Sequence, residues 1–169
     1  ALPISVHQAQ VGQKLRVGMV NGLMGEAEII HLDKQSLQLQ FQLTQAPPVK
    51  LPLTLVLALP RPKMLKRILQ TVATMGVERL VLMNSYRVEK SFWDSPFLQP
   101  QVIEDELILG LEQGKDTVLP QIILEKRFKP FVEDRLPELS ANGLRLVAHP
   151  IAEQHCPRDV QQAVTLAIG

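Results

Sequence analysis

The pattern of apolar and polar positions changes rhythm once along this chain, at Ala46-Pro47-Pro48. Before that point the period is two. In Ser36 to Leu43 the apolar Leu37, Leu39, Phe41 and Leu43 alternate with Gln38, Gln40 and Gln42, which predicts a half-buried antiparallel strand with the apolar set inward. Lys14 to Val20 and Gly25 to His31 read as two more strands around Asn21-Gly22, a strong hairpin signal. Leu23-Met24 points to a turn longer than the minimal one. The proline pair then breaks the pattern and serves as a linker.

Beyond the linker the pattern is that of buried strands and amphipathic helices. In Leu51 to Pro62, LPLTLVLALPRP, Leu53, Leu55, Leu57 and Leu59 alternate with Thr54, Val56 and Ala58, so both faces are apolar. That is a strand buried on both sides, as in a parallel α/β sheet. PKMLKRILQTVATMG then opens a helix with Pro62 and stops it at Gly76. Val77 to Met83 is the next strand, completing a βαβ unit. Arg61 and Lys63 fall at the carboxyl end of its first strand, where open α/β sheets bind ligands. Further on, Asn84 to Pro100 reads as a loop, and Gln101 to Lys115 as a helix with Ile103, Leu107 and Leu111 on one stripe. Val118 to Leu124 predicts a short strand, and Lys129 to Ser140 a helix interrupted by Pro137. Leu144 to Ala148 and Val164 to Ile168 are strands, with a turn or short helix at Cys156 to Val160 between them. Strands alternating with helices make a mostly parallel sheet. The expected fold class is α/β, with a small β domain over residues 1–46 and the α/β domain over 49–169.

Composition narrows the chemistry. A net charge of +1 over 169 residues provides no global basic field, so an RNA partner must be drawn by local patches. Aromatics are only 4%, with Trp93 and Tyr86 the sole Trp and Tyr, which argues against an extended base-stacking surface. The single cysteine, Cys156, excludes a disulfide framework and fits a reducing compartment. No apolar run is long enough to span a membrane, and no signal peptide opens the chain. No GxGxxG follows a strand, and neither a P-loop nor a GxSxG is present. His7, His31, His149 and His155 show no metal-ligand spacing.

Four blocks, in this order and spacing, resemble one family. They are LALPRPKMLKRILQTVATMGVERLVLMNSYRVEKSFW, LGLEQGKDTVLPQI, LVAHP and the terminal VTLAIG. The family is RsmE, the bacterial methyltransferases of uridine N3 in small-subunit (16S) ribosomal RNA, members of the SPOUT or α/β-knot class. The resemblance implies a PUA-like RNA-binding barrel at the start and a SPOUT domain with a trefoil knot after it. It also implies S-adenosylmethionine as cofactor without a metal, 16S rRNA within the small subunit as substrate, a homodimer, a cytoplasmic location and no membrane. ALPIS does not match the family's approach to Val6-His7, so the barrel is expected to lack its start. In the family a strand like VTLAIG runs into a Pro-Glu-Gly-Gly turn and a further segment. The knot-forming tail, much of the pocket and the catalytic groups are therefore expected beyond Gly169, and a chain ending there is expected to be inactive alone. The catalytic residues stay unknown.

Within the chain, cations cluster as Arg61, Lys63, Lys66 and Arg67, opposite an apolar stripe of Met64, Leu65, Ile68, Leu69, Val72 and Met75. A solvated helix face has this composition without any ligand. A helix N-terminus equally favours phosphate, and Arg61 falls where most relatives have a basic residue. In NSYRVEKSFW, Ser85 and Arg87 match a family Ser-x-Arg element, and Lys90 follows; the loop reads either as RNA-facing or as a surface loop held by Phe92 and Trp93. Glu112-Gln113 matches a family Glu-Gln pair, but Lys115-Asp116 stands where relatives usually have an arginine, so capping or bridging is equally open there. His149 alone after a strand is the ordinary setting of a structural histidine. The resemblance puts Ala148, His149 and Pro150, with Ile168 and Gly169, beside the S-adenosylmethionine pocket; glycine lets backbone approach a ligand. Two rival functions remain open: a non-catalytic RNA-binding module, and a related methyltransferase acting on a different RNA.

Overall fold

Residues 9–169 are described by a computed structural model; Val6-His7 and the altered start before them lie outside the described residues. The chain divides into two compact units, 1–48 together with 116–118, and 49–115 together with 119–169.

The period-two segment folds as an antiparallel sheet of β1 (Lys14–Gly18), β2 (Met24–Leu32) and β3 (Leu37–Gln45), in the order β1-β2-β3. The hairpin turn is longer than the minimal one: Met19 N donates to Leu23 O at 3.0 Å, around Asn21 at φ 58°. A remote segment completes the turn. Thr117 Oγ1 donates to Gly22 O at 2.6 Å, and Asn21 N donates to Thr117 O at 2.7 Å. The Asp116 carboxylate accepts from the N–H groups of Thr117 and Val118. This use of residues 116–118 corrects the expected strand over Val118 to Leu124, which starts only at Gln121, after Pro120 with its missing N–H. A second correction concerns β3. Ala27 and Ile29 of β2 are buried, but Phe41 is 59% exposed and Leu37 is exposed as well. Phe41 stands opposite Ala27, whose short side chain gives the ring little to lean on. The β2–β3 turn is built on Asp33, whose carboxylate accepts from Gln35 N, His31 Nε2 and Ser36 N. The Gln35 bond, then those from His31 and Ser36, hold its pKa down at about 2.

The second unit follows the predicted alternation. Its elements are β4 (Leu51–Ala58), α1 (Pro62–Thr74), β5 (Val77–Met83), the single turn α2 (Lys90–Trp93), α3 (Pro100–Gly114), β6 (Gln121–Glu125), α4 (Phe128–Pro130), a π turn (Phe131–Arg135), α5 (Leu136–Leu139), β7 (Gly143–Ala148) and β8 (Ala163–Ile168). The five strands lie in the order β6-β5-β4-β8-β7, every neighbour parallel. Gly76 takes φ 67° to end α1, a conformation that costs glycine little. The helix expected over Lys129 to Ser140 with an interruption at Pro137 instead runs without a gap from Phe128 to Leu139, widened to a π turn over Phe131–Arg135; Pro137 cannot donate to the Glu133 carbonyl as an α-helix would require. No helix forms at Cys156 to Val160.

Each face of the sheet has its own cover. On one, Leu65, Leu69 and Val72 of α1 meet Ile103, Leu107 and Leu111 of α3 over Leu80 and Leu82. Gly110 lets the helices approach, since a Cβ there would lie 2.3 Å from Gln70 O. On the other, Val56, Val81 and Met83 pack against Phe131. Truncating any of these leucines to alanine is expected to cost about 2–5 kcal/mol. One register level breaks the apolar pattern. Gln121, Arg79, Thr54, Thr165 and Arg145 stand side by side across all five strands. Arg79 closes part of that row by donating to Gln121 Oε1 at 2.7 Å and Thr54 Oγ1 at 3.1 Å.

Candidate functional site at the carboxyl edge of the sheet

The chain leaves β4 in one direction, through β5 and β6, and returns through β7 to insert β8 beside β4. Strand order therefore reverses between β4 and β8, and ligands of open α/β sheets bind outside the carboxyl ends at such a switch point. The register makes this edge level. Ile168 pairs with both Leu57 and Ala148, while Met83 pairs with both Ala58 and Glu125. Backbone bonds continue the zipper past the strand ends: Leu59 N donates to Met83 O and Asn84 N to Glu125 O, both at 2.9 Å.

This brings most of the sequence candidates to one edge in two groups. Ala148, His149 and Pro150 leave β7 beside Ile168 and Gly169 at the end of β8. That end carries no acid or lysine or arginine and is largely apolar, which suits an apolar portion of a ligand. His149 holds the turn: its Nδ1 accepts from Ile151 N at 3.4 Å and its carbonyl from Ala152 N at 3.0 Å. Arg61 and Lys63 follow β4 and open α1, and Ser85, Arg87 and Lys90 follow β5. Arg61, Lys63, Arg67, Arg87 and Lys90 are exposed and make no ion pair among the described residues. The loop after β5 is held by Trp93, whose indole N–H donates to Asn84 Oδ1 at 3.2 Å.

Lys66 is differently placed. Its Nζ lies 2.6 Å from Glu106 Oε1, in the seam between α1 and α3, and 4.9 Å from the centroid of the Phe97 ring. Gln70 Nε2 donates to the other Glu106 oxygen at 2.6 Å. The Lys66 bond holds the Glu106 carboxyl below its ordinary value against the opposing effect of burial, and Gln70 adds to it. Arg67, one residue on, instead lines a shallow cleft of about 200 Å³ with Gln70, Thr71, Thr74, Met75 and Gln113. Glu112 and Gln113 are exposed at the end of α3.

Two cations escape a reading based on helix starts and family blocks. Lys126 and Arg127 leave β6 on the same edge, and Lys126 Nζ lies 5.7 Å from the centroid of Trp93. Their signal is positional: KRFKP directly follows the strand's carboxyl end at Glu125. Among the described residues, no group of three or more His, Cys, Asp or Glu is arranged to hold a metal, and no helix is long and apolar enough to cross a membrane.

The chain is similar in sequence and in fold to known proteins. Ribosomal RNA small subunit methyltransferase E of Treponema pallidum is 32% identical over 127 residues, covering 75% of this chain and 48% of that protein. The chain thus spans about half the length of the curated relatives it matches. In fold it is similar to a probable rRNA-methyltransferase from Porphyromonas gingivalis, with a TM-score of 0.68 at 20% identity over 98% of this chain and 70% of that one. It is also similar to ribosomal RNA small subunit methyltransferase E from Neisseria gonorrhoeae bound to S-adenosyl methionine, with a TM-score of 0.67 at 16% identity, covering 98% of this chain and 68% of that one. Residues 47–169, the α/β unit and the linker before it, match the model of the RNA methyltransferase domain, and the chain belongs to that family.

Proposed function

We propose that this chain forms the body of an S-adenosylmethionine-dependent enzyme that methylates N3 of a uridine in 16S ribosomal RNA. The observation that carries the reading is the divided carboxyl edge, with unpaired cations after β4 and β5 and a neutral apolar end at β8 and β7. The name of the Treponema relative supports the substrate, and the ligand in the Neisseria structure supports the cofactor. In this reading Ala148, His149, Pro150, Ile168 and Gly169 hold the cofactor. When bound, it supplies an electrophilic methyl group on a sulfonium. Arg61, Lys63, Arg87 and Lys90 take phosphates, with Ser85 as a neutral hydrogen-bonding neighbour, and so fix the uracil ring in line for attack. Lys66 keeps α1 on α3, and Arg67 extends the cationic surface along the helix. A polar group must share or remove the N3 proton, because a neutral imide is a poor nucleophile. We assign that group to the part of the relatives' length that this chain does not span.

The same reading makes the β1–β3 unit part of a PUA-like RNA-binding barrel, with domains over 1–46 and 49–169. It makes the α/β unit a SPOUT domain with a trefoil knot, and the whole enzyme a cytoplasmic homodimer acting on the small ribosomal subunit. Calorimetry on the full-length natural protein should show S-adenosylmethionine binding that EDTA leaves unchanged. Small subunits from cells lacking the enzyme should then gain 3-methyluridine when both are supplied. Absence of cofactor binding would remove the enzyme reading.

A further inference from the structure

Tyr86 is the chain's one tyrosine, and at 103% relative exposure its side chain stands wholly in solvent. Neither its ring nor its hydroxyl has a partner among the described residues. The backbone beneath it is well held. Val88 N donates to Ser85 O at 3.1 Å, closing a tight turn with Tyr86 and Arg87 at its tip. The turn rises from Asn84, which is bonded to the end of β6 through Glu125 O and receives the indole N–H of Trp93. Lys126 in turn lies over Trp93. A large flat ring is thus displayed at the tip of a braced turn, not on a loose loop.

Its neighbours decide what it suits. Arg87 and Lys90 on its own loop, and Arg127 on the adjoining strand end, are exposed and make no ion pair among the described residues. Glu89 and Asp94 are the acids of the same loop, and Glu125 is closed by an ion pair with Arg135. Aromatic faces interleaved with cations bind unpaired nucleotides, the ring taking a base and the cations the flanking phosphates. A second copy of this chain fits worse: a two-fold contact through Tyr86 would set the same cations against each other.

We propose that Tyr86 stacks on an unpaired base of the RNA substrate, while Arg87, Lys90 and Arg127 take the phosphates beside it. This rests on the RNA reading above and adds a requirement to it, that the substrate be single-stranded where it crosses the ends of β5 and β6.

The test compares the full-length protein with Y86A, Y86F and R87A on a short labelled single-stranded RNA and on the same sequence as a duplex, each over a salt series. Y86A should weaken single-strand binding by about 5- to 100-fold, with the slope against salt unchanged. Y86F should bind within about twofold of wild type, because it keeps the π face. Duplex binding should be the same for Y86A and wild type. R87A should lower the slope by about 0.7. If Y86A binds the single strand as tightly as wild type while R87A loses slope, stacking is overturned and the RNA reading stands. If wild type binds neither RNA, both fall. Light scattering and thermal melts complete the comparison. A dimer that Y86A splits into monomers would make the ring a subunit contact, and a Tm lowered by several degrees would make it a packed residue. Either result overturns the proposal.

Discussion

The seam between α1 and α3 and the carboxyl rim of the sheet hold cations in opposite ways. In the seam, Lys66 meets Glu106 at 2.6 Å, and Gln70 closes the second carboxylate oxygen. On the rim, Arg61, Lys63, Arg87 and Lys90 have no acidic partner among the described residues. A charge satisfied inside the fold contributes to stability and loses little more by staying there. A charge left to water keeps its full attraction for a polyanion, and its binding releases counterions. Sequence places Lys63, Lys66 and Arg67 within one turn and a half of helix, yet the two uses divide between them.

The largest expected effect tests the rim. The combined variant R61A/K63A/R87A/K90A should lose about a hundredfold in affinity for single-stranded RNA at low salt, and the slope of log affinity against log salt should fall by about 3. Cofactor affinity should stay as in wild type, since the β8 and β7 end is untouched. An unchanged salt slope would break the comparison by returning these residues to an ordinary solvated helix face and loop.

The seam answers in stability. Lys66→Met should lower the unfolding free energy by about 1–3 kcal/mol, the cost of leaving a buried carboxylate one strong donor short. The figure belongs at its lower end, because the Lys66 side chain is 40% exposed and water can partly replace it. Denaturant unfolding measures it directly. A variant as stable as wild type would put Lys66 back among the rim cations.

How far these roles were legible depended on sequence distance. Strand β4, helix α1 with its stop at Gly76, and strand β5 follow from local period and punctuation alone, because burial on both faces and a left-handed stop each leave a mark in adjacent residues. The insertion of β8 between β4 and β7 leaves no such mark, since VTLAI is apolar enough for any interior position. The Lys66–Glu106 pair joins two helices, and nothing near Lys66 distinguishes it from Arg67. Likewise Val118 looks like the start of a strand until Thr117, just before it, is seen bonded to the Asn21-Gly22 turn. The rim was partly legible, because strand ends can be located and residues just after them counted. Lys126 and Arg127 stand just after Leu124, the expected end of that strand, so position alone marks them, although they lie outside the family blocks.

A pH series sharpens the seam further. Glu106 has its carboxyl pKa lowered in the folded state from the ordinary value of 4.5, chiefly by Lys66. The unfolded chain therefore takes up this proton first as pH falls. The stability from this pair is complete above the unfolded value and disappears as pH drops through the lower folded one. The stability gap between wild type and Lys66→Met should be constant near neutrality and narrow from about pH 5 downward. A gap that widened in acid would mean that Glu106 is not the partner that matters.

The smallest effect discriminates most finely, because it compares neighbours on one helix. Arg67→Ala removes an exposed cation that lines the cleft with Gln113 and makes no ion pair among the described residues. It should leave the melting temperature within about a degree of wild type, as surface substitutions usually do. The salt slope of RNA binding should fall by about 0.7, one phosphate contact on a single strand. Lys66→Met should do the reverse, lowering stability and hardly changing the slope, since its charge is already matched by Glu106. Measuring both variants for both properties fills a two-by-two comparison whose off-diagonal values should be close to zero. If Lys66→Met lost as much slope as Arg67→Ala, the ion pair would have to open on RNA binding. The seam would then be a reserve of charge for the rim, and the division between structural and ligand-facing cations would fail where it is drawn most closely.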